Sequence, residues 1–269
     1  LKHHKADNKQ NFSGMEVSLE LFEKTMADLE TGKVRVAQKI DGHWQVNAEI
    51  KQIILAGFAM GRIKDMSEGQ FAFFDKDTFP VREFSTENSV RIVPGGSSIR
   101  RGAYLAPGVI VMPPAYVNVG AFVDEGTMVD SHVTIGSCAQ VGKHIHISAA
   151  TQIGGVLEPA GALPTIIEDG AFIGGNCGIY EGTIVEEGAV IASGVIITSS
   201  TPLFDATKGE FVPKNENGRV VVPRGAVSGS RPVVKGPSAG SGIHLYCPVI
   251  VKYRDEKTSG SVSLEELLR

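Results

Sequence analysis

The sequence predicts a parallel β-helix, a solenoid of short stacked coils, and three observations indicate it. First, an aliphatic residue recurs every six positions from Ile99 to Ile153, and the period resumes in a shifted frame from Ile167 to Ile197. Second, a small or aliphatic residue stands four positions after most of them, as strand alternation requires for a second inward side chain. Third, glycine or asparagine often stands three positions after them. A fixed six-residue period is typical of hexapeptide-repeat solenoids.

The glycine and asparagine positions mark the corners of the predicted coils, because these two residues tolerate a positive φ. An ordinary β-sandwich is the alternative, but its turns are spaced at roughly 8–12 residues and do not keep one phase over ten repeats. The solenoid is therefore the favoured interpretation. The predicted corner residues are Gly102, Gly108, Gly120, Gly126, Gly170, Asn176, Gly182, Gly188 and Gly194.

Ahead of the solenoid, residues 1–90 predict a small helical N-terminal domain. Ser18 resembles an N-cap before an amphipathic helix that Gly32 ends, and a second helix is predicted over residues 48–60. Between the two helices, the pair Asp41-Gly42 predicts a tight turn in an extended segment. Residues 61–90 support no single assignment.

The solenoid domain is predicted to span residues 91–240, with loops leaving the coil near 156–166 and 202–220. Val222, Ser228 and Val234 are again six residues apart, so we expect the coil to resume briefly. Residues 241–269 form a C-terminal extension with an apolar strand, followed by a capping box from Ser263 to Glu266 that starts a terminal helix.

Composition narrows the possible partners and compartments. A net charge of −4 and a pI near 6 give no electrostatic reason to expect binding to nucleic acid or an acidic membrane. No apolar run approaches the ~20 residues of a membrane span, and no signal segment opens the chain. Three scattered cysteines without a CxxC pair favour reduced, buried thiols in a cytoplasmic protein.

Several stretches of the chain resemble the tetrahydrodipicolinate N-succinyltransferase family, and together they cover nearly all of residues 17–269. The most specific stretch is YVNVGAFVDEGTMVDS followed by GSCAQVGK. Others are RVAQKIDGHW, VRIVPGGSSIRRGAYLAPGVIVMPPA, IGGVLEP, TIIEDGAFIGG, YEGTIVEEGAVI and LYCPVIVKY.

The resemblance implies a left-handed parallel β-helix that forms a homotrimer with sites between subunits. It implies transfer of a succinyl group from succinyl-CoA, the co-substrate, to the amine of ring-opened tetrahydrodipicolinate in lysine and diaminopimelate biosynthesis. No permanently bound cofactor and no metal is expected. Such chemistry needs a carboxylate base for the amine, donors for the oxyanion and cations for the substrate carboxylates.

The resemblance also singles out candidate substrate residues. Asp130, in MVDS, matches the family's acid/base or amine-orienting carboxylate, although its repeat position alone predicts only a solvated residue. Arg91, in VRIVP, matches a substrate-binding arginine. Arg100 and its neighbour Arg101 are also candidates to bind a substrate carboxylate. For at least one of them, the alternative is a charge pair on the protein surface. Glu158, on the first loop, is either a site residue or a solvated one.

One departure from the family concerns a second acid. The family often has an acidic residue three positions before the glutamate of its EG pair, and here Gly178 stands at that place. Glu181 is therefore the remaining second catalytic candidate. For the acyl-CoA, Ser193 and Gly194 are candidates at a coil corner, and Arg231, Lys235 and Lys252 are candidates for its phosphates. Solvated surface cations are the alternative for these three.

Three other functions compete. One is an acetyl-CoA-dependent acyltransferase of the same architecture, against which the MVDS and GSCAQ stretches argue. Another is a trimeric metal enzyme resembling the hexapeptide carbonic anhydrases, since His132, His144 and His146 are candidate ligands. Against it, His132 and His144 are two hexads apart and therefore lie on different sides of a three-sided coil. A purely structural solenoid is the third, and the interrupting loops argue against it.

Overall fold

The computed structural model describes residues 9–12, 15–180, 182–223 and 225–252, with only the backbone described for 9–12. The predicted helix after Ser263 therefore lies outside the described residues. Within them the chain forms a small N-terminal domain, a solenoid of two-residue strands and a C-terminal ribbon. The N-terminal elements are β1 (Lys9–Phe12), β2 (Met15–Ser18), α1 (Leu19–Glu30), β3 (Ala37–Ile40), β4 (His43–Val46), α2 (Ala48–Met60), β5 (Ile63–Asp65) and β6 (Phe74–Lys76).

Both helices start at the residues that local chemistry predicts. The Ser18 hydroxyl accepts a hydrogen bond from the Leu21 amide at 3.1 Å, and the Asn47 side chain accepts one from the Ile50 amide at 3.3 Å. Each bond satisfies an amide that has no partner inside the first helical turn. Gly32 has a φ of +70° just after α1, and the two-residue turn between β3 and β4 is Asp41-Gly42, as predicted.

The solenoid has three flat faces, because every third strand belongs to the same parallel sheet. Paired strands are 18 residues apart on most rungs, as with Val111 beside Val129 and Val129 beside Ile147, so three hexads make one coil. Its strands after the single turn of 3-10 helix at Thr86–Asn88 are β7 (Arg91–Ile92), β8 (Ser98–Ile99), β9 (Tyr104–Leu105), β10 (Ile110–Val111), β11 (Tyr116–Val117), β12 (Phe122–Val123), β13 (Met128–Val129), β14 (Thr134–Ile135), β15 (Gln140–Val141), β16 (His146–Ile147), β17 (Gln152–Ile153), β18 (Ile166–Ile167), β19 (Phe172–Ile173), β20 (Gly178–Ile179), β21 (Ile184–Val185), β22 (Val190–Ile191) and β23 (Ile196–Ile197).

We call the sheet that begins with β7 the first face, the sheet that begins with β8 the second face and the sheet that begins with β9 the third face. The second residue of each strand on these faces is an aliphatic residue that points into the core, where Val111, Val129 and Ile147 are fully buried. The first residue points outward. This alternation is the six-residue pattern of the sequence, and every predicted corner glycine has a positive φ.

The N-terminal domain packs against the third face and the corner beside it. Phe22 and Ile54 share a buried cluster with Val119 and Cys138 of the coil. The Trp44 indole and the Lys39 ammonium both donate hydrogen bonds of 2.7 Å to Oε1 of Glu168. The domain is therefore fixed to the solenoid by apolar packing and by charged hydrogen bonds.

Two loops leave the coil, the first after β17 and the second after β23. The second contains β24 (Phe204–Asp205) and β25 (Glu210–Phe211), after which β26 (Val221–Val222) and β27 (Gly225–Ala226) rejoin the third and first faces. The predicted resumption is right for Val222 and wrong for Ser228 and Val234, which are exposed. The chain there forms an antiparallel ribbon of β28 (Ser230–Pro232) and β29 (His244–Tyr246), followed by β30 (Val249–Ile250) beside β24.

Candidate active site on the first face

Asp130 lies at the corner where the chain passes from the first face to the second. Its backbone amide donates a hydrogen bond to the Ile147 carbonyl at 3.0 Å, which belongs to the ladder between neighbouring coils. Its Oδ1 accepts a hydrogen bond of 2.7 Å from the Ser131 amide. The side chain is 29% exposed, so the carboxylate is held by the coil and still reaches solvent.

His146 approaches the other oxygen of this carboxylate. Strand β16 pairs with β13, which places His146 next to Met128 on the outer surface of the first face. Its Nε2 lies 3.5 Å from Oδ2 of Asp130, at the long limit of a hydrogen bond. The ring is only 11% exposed and meets the Phe172 ring edge to face at 5.4 Å. Both carboxylate oxygens of Asp130 therefore face a fixed polar group.

Arg91 lies on the same face as Asp130. It is the outward residue of β7, which pairs with β10, which in turn pairs with β13. Two inter-strand spacings separate the β7 and β13 backbones, or about 10 Å. Arg91 is exposed, and its guanidinium makes no hydrogen bond with the part of the chain that the structure describes. The first face thus presents an exposed cation on β7 and, two strands away, the carboxylate that follows β13.

Arg100 and Arg101 are engaged within the chain. Arg100 is paired with Asp75, and its guanidinium carbon lies 5.0 and 5.3 Å from the ring centroids of Phe58 and Phe79. Arg101 is paired with Glu23 of α1. These contacts join the N-terminal domain to the first coils. Both guanidinium groups are thus engaged within the chain, although the buried Nε of Arg100 has no hydrogen-bond partner in the described residues. Arg100 is left out of the proposed site.

Glu158 is exposed on the first loop, between β17 and β18, and a buried lysine of α2 binds the backbone of this loop. The Lys51 ammonium of α2 donates hydrogen bonds to the carbonyls of Ala162 at 2.7 Å and Pro159 at 3.2 Å, and its side chain is fully buried. This burial lowers the pKa of Lys51. Glu158 itself has no hydrogen bond to the described residues.

Gly178, the departure from the family pattern, has a steric explanation. An ideal Cβ on Gly178 would lie 2.5 Å from Cε2 of Tyr180, and one on Gly154 would lie 2.8 Å from Cδ1 of the same ring. Because the Tyr180 ring occupies this space, an acidic side chain at position 178 of β20 would have to displace it. Glu181, the remaining second catalytic candidate, lies outside the described residues.

The candidate acyl-CoA residues lie at the C-terminal end of the solenoid. Ser193 and Gly194 form an exposed corner, and the Ser228 hydroxyl bonds to the Gly194 carbonyl at 3.1 Å. The C-terminal ribbon docks there, since the Ile196 amide donates to the Tyr246 hydroxyl at 2.7 Å. The structure thus brings the Ser193 corner and the ribbon together, and Arg231 lies on that ribbon. Lys235 and Lys252 are exposed on the C-terminal segments.

The cysteines offer no thiolate for covalent catalysis. Burial raises the pKa of the Cys138 thiol to about 12, and it also raises the pKa values of Cys177 and Cys247. A thiol of this kind stays protonated near neutral pH, and the thiol itself is a poor nucleophile. These thiols are therefore poorly suited to form an acyl-cysteine intermediate.

A cleft of about 610 Å³ opens on the third face, between the β3–β4 hairpin and residues 215–221. Trp44, Leu163 and Ile184 line its walls, with Glu168 and Arg219 among its polar groups. None of the residues predicted for substrate or acyl-CoA lines it. The cleft is thus separate from the candidate site on the first face.

No helix among the described residues combines the length and the apolar character that a membrane span requires. Within the same part of the chain, no group of three or more His, Cys, Asp or Glu side chains is arranged to hold a metal ion. His132 and His144 have positive φ angles of 61° and 52° at different corners of the coil. His146 is the histidine whose ring nitrogen, Nε2, lies 3.5 Å from Oδ2 of Asp130.

His146 is a neighbour of Asp130 that the sequence analysis names only as a candidate metal ligand. The signal lay in the 18-residue coil, which places position 146 directly beside position 128, two residues before Asp130. A search for polar residues one coil away from each candidate carboxylate would have found it.

Comparisons with known proteins agree with this architecture. A family model described as the N-terminal region of tetrahydrodipicolinate N-succinyltransferase matches residues 4–60, and one described as the hexapeptide repeat of succinyl-transferase matches residues 164–199. The 2,3,4,5-tetrahydropyridine-2,6-dicarboxylate N-succinyltransferase of Methylococcus capsulatus is 49% identical over 245 residues, 90% of this chain and 86% of that protein. The protein of the same name from Ehrlichia ruminantium is 45% identical over 260 residues, 93% of this chain and 87% of that protein.

A solved structure supports the fold alone. The Campylobacter jejuni protein described as a proposed 2,3,4,5-tetrahydropyridine-2-carboxylate N-succinyltransferase superposes with a TM-score of 0.50 at 17% identity. The match covers 91% of this chain and 64% of that one, so this chain spans less than two thirds of the solved chain. Together with the three parallel sheets and the hexapeptide match, this superposition confirms the predicted left-handed parallel β-helix with a small helical N-terminal part.

Proposed function

The chain belongs to the tetrahydrodipicolinate N-succinyltransferase family, and we propose that it transfers the succinyl group of succinyl-CoA to the amine of ring-opened tetrahydrodipicolinate. The products are N-succinyl-2-amino-6-oxopimelate and CoA, a step of lysine and diaminopimelate biosynthesis. The observation that carries this proposal is the 49% identity to a named N-succinyltransferase over 90% of this chain. We propose that the enzyme acts in the cytoplasm.

The proposed substrate site is on the first face. Arg91 binds a carboxylate of the acyclic substrate, since an exposed guanidinium can form two parallel hydrogen bonds with it. Asp130, about two strand spacings away, orients the amine and accepts its proton as the new C–N bond forms. Its fixed and partly exposed carboxylate supports this role. Glu158, on its loop, and Glu181 stay predictions for further contacts.

The reaction is an acyl transfer from sulfur to nitrogen. The amine attacks the thioester carbonyl, the oxyanion forms, and the C–S bond then breaks to release the CoA thiolate, which takes up a proton. Backbone amides at the coil corners are donors of the kind that stabilise such an oxyanion. These reaction steps need no covalent intermediate on the protein. This agrees with the raised pKa values of the protein's three thiols.

We place the acyl-CoA along the C-terminal end of the solenoid. The pantetheine arm would pass the exposed corner of Ser193 and Gly194, and the phosphates would meet Arg231, Lys235 and Lys252. The docking of the ribbon on this corner supports the arrangement, because it brings the corner close to the β-strand that carries Arg231.

We further propose a homotrimer whose sites are completed by a second subunit. The first face is flat, and its outward residues Ile110, Met128, Phe172 and Val190 form an apolar row beside Asp130, which His146 interrupts between Met128 and Phe172. In one subunit, Asp130 and the Ser193 corner belong to different coils of the solenoid. A neighbouring prism against the first face would bring donor and acceptor sites together.

The experiment for this function is a thiol-release assay with the cyclic dicarboxylate as acceptor, comparing succinyl-CoA with acetyl-CoA. We expect kcat/KM to be at least about tenfold higher for succinyl-CoA, because its terminal carboxylate engages donors that an acetyl group leaves unused. Release that depends on the acceptor separates transfer from thioester hydrolysis. Comparable kcat/KM for the two donors would assign the protein to the acetyl-transferring branch.

The role of Asp130 has its own test. Asp130→Asn keeps the size of the side chain and removes its charge, so we expect kcat to fall by at least ~10² with an intact assembly and an unchanged melting temperature. Asp124→Asn is the control, because Asp124 has the same repeat position and the same bond to the next amide, at 2.8 Å. Equal losses in the two variants would remove Asp130 from the mechanism.

A further inference from the structure

Resting on the proposed function, we propose that His146 is a positioning residue that holds the Asp130 carboxylate in the orientation needed to meet the substrate amine. The two side chains lie one coil apart on the first face, with Nε2 of His146 3.5 Å from Oδ2 of Asp130. The more exposed carboxylate, at 29%, contacts the substrate, and the imidazole, at 11%, lies behind it.

The comparison with equivalent corners shows what distinguishes Asp130. Asn118, Asp124 and Asp130 stand at the same position of successive repeats, and each accepts a hydrogen bond of 2.7–2.8 Å from the next backbone amide. This bond is therefore a general property of the corner. One coil further along, the residue equivalent to His146 is Thr134 for Asn118 and Gln140 for Asp124. Of these three corners, Asp130 alone has an imidazole facing its second oxygen.

The imidazole is itself held in place, which positioning requires. The ring of His146 packs edge to face against Phe172 in the next strand, and Met128 lies beside it in the previous one. With one oxygen bound by the Ser131 amide and the other facing a fixed ring, rotation of the Asp130 carboxylate is restricted. A carboxylate fixed in this way keeps its remaining lone pairs directed to the exposed side, where the amine arrives.

A double-mutant cycle with Asp130 tests this inference. The variants are His146→Phe, which keeps a ring against Phe172 and removes the nitrogens, Asp130→Asn, and the two combined. In the wild-type background we expect His146→Phe to lower kcat about tenfold and to change KM for both substrates by no more than about twofold. An interaction energy of this size is usual for residues in contact. In the Asp130→Asn background we expect less than a twofold further change.

Two more variants separate positioning from a structural role. His146→Gln retains an N–H donor and should recover kcat to within about threefold of wild type. His144→Asn, at an exposed corner with a φ that asparagine tolerates, is the matched control and should leave kcat unchanged. Melting temperature and particle mass are measured for each variant, so that a folding defect in His146→Phe is recognised and the decision then rests on His146→Gln.

The outcomes distinguish this inference from the function it rests on. Wild-type protein that releases no thiol from succinyl-CoA with the dicarboxylate present contradicts the proposed function. Active wild type, combined with equal losses from His146→Phe in both backgrounds or with a His146→Gln as impaired as His146→Phe, overturns the positioning role and leaves the function standing.

Discussion

At the scale of single residues, what the corners of the coils share is a backbone conformation with positive φ, and several types of side chain occur there. Every predicted corner glycine adopts a positive φ, yet His132, Cys138, His144 and Ala150 do so as well. A left-handed conformation costs a non-glycine residue roughly 1–2 kcal/mol, which the ladders on both sides of each corner offset. The repeat therefore tolerates exceptions at its corners.

Gly126 offers a test of this corner assignment. Its φ is +66°, and a Cβ there would lie 2.5 Å from Nδ1 of the exposed His144 side chain. The His144 ring can move aside, but the φ of a β-branched residue cannot relax, so we expect Gly126→Val to destabilise the protein by at least ~1 kcal/mol. The measurement is the melting temperature, which should fall by several degrees.

The control for that variant is Glu125→Ala at the adjacent position. Glu125 is exposed, and its ion pair with Lys143, at 3.5 Å, is of a kind that contributes about 0–1 kcal/mol. Its melting temperature should stay close to that of the wild type. Equal melting temperatures for Gly126→Val and Glu125→Ala would show that the corner does not require glycine.

Candidate site residues come from the sequence only where a motif carries them. The family resemblance singles out Arg91 and Asp130, and the structure brings them to the same face of the solenoid. Arg100 was a candidate because it neighbours other basic residues, but its partner Asp75 is 25 residues away in sequence and gave no local signal. His146 likewise has no local signal in the sequence, because its contact with Asp130 depends on the length of one coil.

At the scale of elements, boundaries were predictable wherever local chemistry decides them. The Ser18 cap, the apolar face of residues 48–60 and the Asp41-Gly42 turn each act within a few residues, so the sequence located both helices and the hairpin. Residues 61–90 lacked such signals because distant groups hold them. Arg82, for example, donates hydrogen bonds to the carbonyls of Ala103 at 2.8 Å and Glu30 at 3.0 Å.

The first loop provides a prediction about an element held by one buried side chain. Lys51→Met removes the ammonium that binds the Pro159 and Ala162 carbonyls and keeps a side chain of similar length. We expect local opening of the loop to become about tenfold more frequent, since hydrogen bonds to a charged group contribute about 1.5–3 kcal/mol. The measurement is the rate of thermolysin cleavage within residues 155–163 under native conditions.

Lys24→Met is the matched control, because Lys24 is 67% exposed on α1 and its ammonium is paired with Asp28 of the same helix. It should leave the cleavage rate unchanged. The melting temperature of Lys51→Met should change little, since replacing a buried charge by an apolar group removes a desolvation cost as well. If Lys51→Met and Lys24→Met are cleaved at the same rate, the ammonium does not hold the loop.

At the scale of the whole molecule, the solenoid was predictable because one six-residue rule is repeated through it. What the period could not supply was where the coil stops, since Ser228 and Val234 keep the spacing and yet lie on exposed segments outside the coil. Spacing identifies a coil only where the residues at each repeat also fit its interior. The hydroxyl of Ser228 instead bonds the Gly194 carbonyl, and the ribbon begins there.

The flat first face leads to the last prediction, which concerns assembly. If a second prism covers the apolar row on this face, Val190→Glu should place a charge in the interface, dissociate the trimer and abolish transfer. Lys143→Glu, at an exposed corner, is the control and should do neither. Light scattering should give three times the 28.6 kDa chain mass for the wild type and the control. A wild-type monomer that transfers succinyl groups at assay concentration would show that one subunit contains the whole site.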